Sequence, residues 1–134
     1  MMQADLVLPS DPSAPSKARE LLSRILDGAA PERVALCQLA LSEVVSNAVR
    51  HGGNGGSAAV NVSIERDDDL VHVVVAQQAP VQPVPSIVSM PEPWSTNGYG
   101  LNIVDAVTDR WGVHLDPPSV WFELSLQERA GSST

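Results

Sequence analysis

Glu43, Ser46, Asn47 and Arg50 stand at i, i+3, i+4 and i+7 of the stretch LSEVVSNAVRHGG, and His51 lies directly beside them. On a helix this spacing gathers them into one polar stripe. A solvated outer face is the simplest account of such a stripe. Ser and Asn, however, are poor helix-interior residues, because their side chains compete for backbone hydrogen bonds. The neighbouring positions Val34, Leu41, Val44, Val45, Ala48 and Val49 are apolar nearly all round. The expectation is a helix mostly covered by protein with one wet stripe, which suits the wall of a pocket. Within that stripe the Glu43 carboxylate is a candidate general base, and Asn47, one turn on, offers an amide oxygen to a hard cation such as Mg²⁺. Because Mg²⁺ keeps several waters and shares its shell with substrate phosphates, one protein ligand suffices.

A second segment, NGYGLNIV, places Gly98 and Gly100 immediately before a helical run that begins at Leu101. Unpaired first-turn amides and the helix dipole make such a start an anion site. Glycines before a helix are common, so this segment gains weight only in company with the stripe.

The elements that must position these residues can be read from periodicity and breakers. ADLVLPS alternates and ends at Pro9, as a short edge strand does. Ala18, Leu21, Leu22, Ile25 and Leu26 form one helical stripe, with Gly28 as a C-terminal stop. Pro31, with Glu32 in the first turn, opens a second helix that runs to about His51. AAVNVSIER and LVHVVVA are β-rich runs joined by DDD, which reads as a solvated hairpin turn and not as a metal site. From Ala79 to Asn97 five prolines predict an irregular loop of the kind that serves as a lid or binding loop. Leu101, Ile103, Val104 and Val107 predict a third helix, WGVHL and VWFELSL a last pair of strands, and residues 127–134 a flexible tail. The sum is an α/β fold: a two-layer sandwich with a mixed, mainly antiparallel sheet covered on one face by about three helices.

The totals are consistent with one such unit. A chain of 134 residues is expected to form a single domain with a core large enough to need neither disulfides nor metals. Its one cysteine, Cys37, sits in an apolar run, so packing is its expected role. Neither a signal-like start nor an apolar run of about 20 residues is present, and the expected setting is cytoplasmic. Sixteen acids against eight scattered bases, a net charge of −8, argue against direct nucleic-acid binding. Proteins or a small ligand are the expected partners.

Glu43, Asn47, Ala48 and His51 reproduce the pattern E-x-x-x-N-A-x-x-H, and GYGLNIV resembles G-x-G-L-x-I-V. Together they resemble the N-box and glycine box of the histidine-kinase-like ATPase superfamily that includes gyrase, Hsp90, histidine kinases and MutL. The predicted element order is similar to its Bergerat α/β sandwich over almost the whole chain. The length, KARELL on the first helix and the closing DRWGV and VWFELSL look most like the small anti-sigma-factor serine kinases and their actinobacterial relatives.

The resemblance implies ATP and Mg²⁺ as cofactors, Glu43 as catalytic base and Asn47 as the ligand of a phosphate-bridging Mg²⁺. It implies that Arg50 and His51 border the nucleotide, and that Gly98, Tyr99, Gly100 and Leu101 approach the phosphates beneath the Pro-rich loop. The implied substrate is a serine on a STAS-domain anti-anti-sigma factor, the other partner is a sigma factor, and a homodimer is left open.

One box departs from the family. Where the family has an Asp followed by glycines, to accept a hydrogen bond from the adenine amino group, this chain reads VVVAQQAPVQPVP and places Gln77. A neutral amide oxygen still accepts, but losing the charge implies about 1–3 kcal/mol, or roughly tenfold to a hundredfold in affinity. The alternative expectation is therefore a non-catalytic, nucleotide-free module of the same fold that sequesters a sigma factor or antagonist. Elsewhere, Trp94 and Tyr99 are expected either to pack the lid or to touch a base or a partner, Trp111, Trp121 and Phe122 to serve core or strand pairing, and His72 and His114 to lie on strands without a ligand set.

Overall fold

A computed structural model of the chain describes residues 1–52, 59–78, 101–115 and 118–127, with the side chains of residues 50–52, 78, 115 and 118 outside that description. The elements run β1 (Met2–Pro9), α1 (Ala14–Ile25), α2 (Pro31–Gly52), β2 (Ala59–Asp67), β3 (Leu70–Gln78), α3 (Leu101–Val107), β4 (Arg110–Leu115) and β5 (Pro118–Ser125). The five strands form one sheet in the order β1-β2-β3-β5-β4, and every described pairing is antiparallel. This is the α/β two-layer sandwich expected from periodicity, with β1 on an edge.

Period-two patterning decides which sheet face is covered. Val60, Val62 and Ile64 on β2, Val71, Val73 and Val75 on β3, and Val120, Phe122 and Leu124 on β5 are all buried. They meet Ala18, Leu22, Ile25 and Leu26 from α1, Cys37, Leu41, Val44, Val45 and Ala48 from α2, and Leu101 and Val104 from α3. Burial of about 1.5–3 kcal/mol per large side chain makes this layer contact the main stabilising term. Trp111 packs partly buried against the same core from β4, while Trp121 points to the other face. Cys37 is buried, and burial pushes its thiol up to about 12, so it packs and does not react.

Local chemistry sets the element ends. Asp11 Oδ1 accepts from the backbone N–H (2.8 Å) and the hydroxyl (2.5 Å) of Ser13, ordering the entry to α1 beside Pro15. Past the end of α1, Gly28 takes φ +86°, a left-handed backbone that costs glycine little. The β2–β3 turn is the expected acidic one, with Asp68 at φ 55°. Its Asp69 also holds the end of the sheet. The Asp69 carbonyl accepts from Leu126 N–H at 2.6 Å, and Asp69 Oδ2 accepts from Gln127 Nε2 at 3.1 Å. Gln127, the first residue of the expected tail, is thus tied to the domain; residues 128–134 lie outside the described residues.

The sheet face turned away from the helices carries a polar and aromatic cluster. Arg110 and His72 both bond Glu123, with Arg110 Nε to Oε1 at 3.0 Å and His72 Nδ1 to Oε2 at 2.9 Å. The His72 ring stacks on Trp121 at 5.7 Å, and a Cβ on Gly112 would come within 2.6 Å of the Trp121 indole. Hydrogen bonding from Arg110, joined by that from His72, holds the Glu123 carboxyl below its usual range despite partial desolvation. A carboxylate depressed on folding stabilises above its unfolded value, about 4.3, and that contribution disappears as pH falls through the lower folded value. Glu123→Gln is accordingly expected to cost under about 1 kcal/mol at neutral pH, given the exposed Arg110, and to flatten the acid limb of the stability profile. Urea unfolding midpoints across the acid range would check it; an unchanged limb would refute it.

Among the described residues no helix is long and apolar enough to cross a membrane, and no group of three or more His, Cys, Asp or Glu is placed to hold a metal.

Candidate functional site

The candidate site is built on the second half of α2. From Ala40 to Val49 no residue of this helix is exposed. Glu43 and Ser46 are half-buried, and Asn47 is fully buried. The stripe is therefore not a solvated outer face. Covering by α1, the sheet and α3 explains how a helix with Ser and Asn at its centre remains stable, since their local competition for backbone bonds matters less where packing fixes the helix. Ser42, beside the stripe, accepts from Arg19 Nη1 at 3.0 Å and so ties α2 to α1.

Gln77 lies at the end of β3, opposite Val60 of β2 and on the helix-facing side in register with Val71, Val73 and Val75. Its Nε2 donates to the Ala48 carbonyl of α2 at 3.4 Å, a long bond. The residue standing in place of the family's Asp is thereby brought against the turn of α2 that carries Asn47. Because a carbonyl only accepts, the Gln77 amide must turn its NH₂ toward α2, which leaves Oε1 as the acceptor available to another group.

The third contributor is α3. A cavity of about 290 Å³ is lined by Arg33 and Leu36 of α2 and by Ala106, Val107, Thr108 and Asp109 at and just past the end of α3. The end of α3 therefore lies beside the start of α2. Leu101, the first residue of α3, is fully buried and belongs to the same core as Leu41, Val44 and Val45 of α2. Thr108 Oγ1 caps the other end by donating to the Val104 carbonyl at 2.6 Å, and Trp111 Nε1 donates to Asp105 Oδ1 at 2.8 Å, clasping α3 to β4.

Of the residues singled out from sequence, Glu43 and Asn47 lie on the later turns of α2, Gln77 bonds the Ala48 carbonyl beside them, and Leu101 is buried in the core. The side chains of Arg50 and His51, and all of Gly98, Tyr99, Gly100, Trp94 and the Pro-rich loop, lie outside the described residues. Sequence reasoning missed the Ala48 carbonyl, because a backbone acceptor leaves no trace in residue identity. It also missed Arg33, which is buried and donates from Nε to the Ser125 carbonyl at 2.9 Å, fastening the start of α2 to β5.

The donor set suits the groups implied for it. A neutral amide oxygen with a carboxylate one turn away is a hard-oxygen environment of the kind Mg²⁺ accepts. Gln77, with its NH₂ occupied by Ala48, presents an acceptor, as recognition of a 6-amino purine requires.

Comparison with known proteins agrees with this fold. The family model described as a histidine kinase-like ATPase domain matches residues 8–122. Among curated proteins none matches the sequence. The crystal structure of the RsbU and RsbW domains of Rv1364c from Mycobacterium tuberculosis is similar in fold, with a TM-score of 0.68 at 19% identity. The match covers 95% of this chain and 32% of that one, so the chain spans about a third of the length of the solved protein.

Proposed function

The chain belongs to the histidine kinase-like ATPase domain family, and from that premise we propose that it is an ATP-binding regulator of the anti-sigma-factor type. Its partners in this reading are a sigma factor and a STAS-domain antagonist, whose serine it phosphorylates. The observation that supports the proposal is that Gln77 bonds the Ala48 carbonyl on the turn of α2 that carries the buried Asn47, with Glu43 one turn earlier.

Each residue has a role that its own chemistry supports. Asn47 would hold Mg²⁺, which when bound supplies charge neutralisation for the nucleotide phosphates. Glu43, half-buried one turn earlier, is positioned to accept the proton of an incoming serine hydroxyl. Gln77 would accept from the exocyclic amine of the base through Oε1. Full burial of the Asn47 side chain places its contacts in a low-dielectric setting, which strengthens them.

Calorimetric titration with ATP and ADP, each with and without Mg²⁺, tests the nucleotide half. The expected result is Mg²⁺-sensitive binding that Asn47→Ala weakens by about tenfold or more, the value of one charge-assisted contact. No binding at millimolar nucleotide would refute it.

A second reading is supported by one observation, the neutral Gln77 spending its NH₂ on Ala48. In this reading the chain is a non-catalytic module that occupies a partner's surface without nucleotide. Gln77→Asp separates the two. If the pocket is otherwise competent, restoring the charge is expected to tighten ATP binding tenfold to a hundredfold. An Asp variant that still binds nothing would favour the nucleotide-free module.

A further inference from the structure

At the opposite side of the helix layer, β1 ends the sheet. It pairs with β2 alone, over all eight residues Met2–Pro9, so among the described residues its other edge has no strand partner. Beside that edge, between β1 and α1, lies a cavity of about 320 Å³ lined by Leu6, Leu8, Lys17, Glu20, Leu21 and Arg24. Its floor is apolar and its rim is charged: Leu8 is buried, Leu6 and Leu21 are half-buried, and Lys17, Glu20 and Arg24 are exposed.

The cations identify the occupant. Six Lys and Arg side chains are described, and four are engaged within the fold: Arg19 with Ser42, Arg33 with the Ser125 carbonyl, Arg66 with the Ile25 and Asp27 carbonyls, and Arg110 with Glu123. The Lys17 ammonium and the Arg24 guanidinium make no hydrogen bond or close ion pair among the described residues, Lys17 being drawn to Asp11 only at longer range, and both line this groove. Among the described residues of this chain of net charge −8, the cations not engaged within the fold therefore lie together beside one strand edge.

We infer that the β1 edge and the α1 groove form a docking surface for an extended segment of a protein partner that alternates apolar and acidic residues. A strand added to β1 would lie about 4.8 Å from it and satisfy its open N–H and C=O groups. Alternate side chains of that strand would enter the groove over Leu6, Leu8 and Leu21, and its acids would meet Lys17 and Arg24. Glu20, between the two cations, disfavours a segment that places an acid opposite the middle of the groove and so sets its register. The inference does not rest on nucleotide binding, which belongs to the far turns of α2.

The test uses the full chain and a short capped peptide alternating valine and glutamate, with its valine–lysine counterpart as control. The expected result is selective binding of the acidic peptide, with amide NMR shifts on β1 and α1, and at least a tenfold loss in the Lys17→Glu, Arg24→Glu double variant. N-methylation of the peptide at alternate residues should abolish binding in one phase and spare it in the other. Equal binding of the lysine peptide, shifts centred elsewhere, or two N-methyl phases that bind alike would overturn the inference. So would sedimentation of the chain as a dimer that the peptide does not compete away, since the edge would then belong to a second copy.

Discussion

Glu43→Gln is expected to lower phosphoryl transfer to a STAS-domain serine by two to four orders of magnitude and to leave ATP affinity unchanged. The size of the effect follows from the contribution that a positioned general base makes to proton transfer. Glutamine preserves the volume of a half-buried site, so packing of α2 is retained while the proton acceptor is lost. Rate and affinity separate the roles of the two stripe residues. A lost base lowers the transfer rate, whereas Asn47→Ala, lacking the amide that would hold the metal, is expected to weaken binding as well. Single-turnover transfer from labelled ATP, read beside the binding titration, is the measurement. A variant that transfers as fast as the parent would remove Glu43 from catalysis, and a parent that binds ATP without transferring would leave the family fold with a binding role.

The largest effect on stability is expected at Phe122. Its side chain is fully buried, the largest in the core, and its strand positions face Val73 on β3 and Trp111 on β4. Phe122→Ala removes that ring between two strands that backbone hydrogen bonds hold in place, so the site cannot collapse fully. A cost of about 3–5 kcal/mol follows. Against a typical total of about 5–15 kcal/mol this brings the domain close to unfolding. Phe122→Leu, which keeps most of the volume, is expected to cost under about 1.5 kcal/mol. Urea midpoints for the two variants, at unchanged slope, would show the difference. Equal costs would mean that the ring's shape matters more than its volume.

Much of this architecture was legible in residue patterns because one period dominated each segment. Alternation in AVNVSIER and LVHVVVAQ fixed both the strands and their buried face, and DDD fixed the turn. The polar stripe of α2 was legible for a different reason: Ser and Asn violate helix preferences, and the structure shows the covering that sustains them. Gln77 was placed by its position at the end of a strand, and it stands on the helix-facing side as that placement requires. What it bonds to was not legible, since any backbone carbonyl of α2 reads the same in sequence. The ties of Asp69 to Leu126 and Gln127 were hidden likewise, because an exposed acid in a turn carries no mark of a partner 57 or 58 positions away. The approach of the end of α3 to the start of α2, where Leu36 lines one cavity with Ala106 and Val107, is likewise encoded by no local pattern.

The strand order also governs how the chain reaches this state. Two pairings are local, the β2–β3 hairpin closed by Asp67 and Leu70 and the β4–β5 hairpin closed by Leu115 and Pro118. The seam that joins them sets Leu70 beside Ser125, and β1 likewise sets Met2 beside Arg66. Local hairpins close on a timescale of about 1–10 μs, whereas distant pairings must first overcome loop-closure entropy. The two hairpins are therefore expected to form before the β3–β5 seam. Closure entropy grows only logarithmically, by about 0.6 kcal/mol for each doubling of a flexible loop. A change in the number of residues that join β3 to α3 is accordingly expected to cost little in closure entropy, so their number is not dictated by the need to fold.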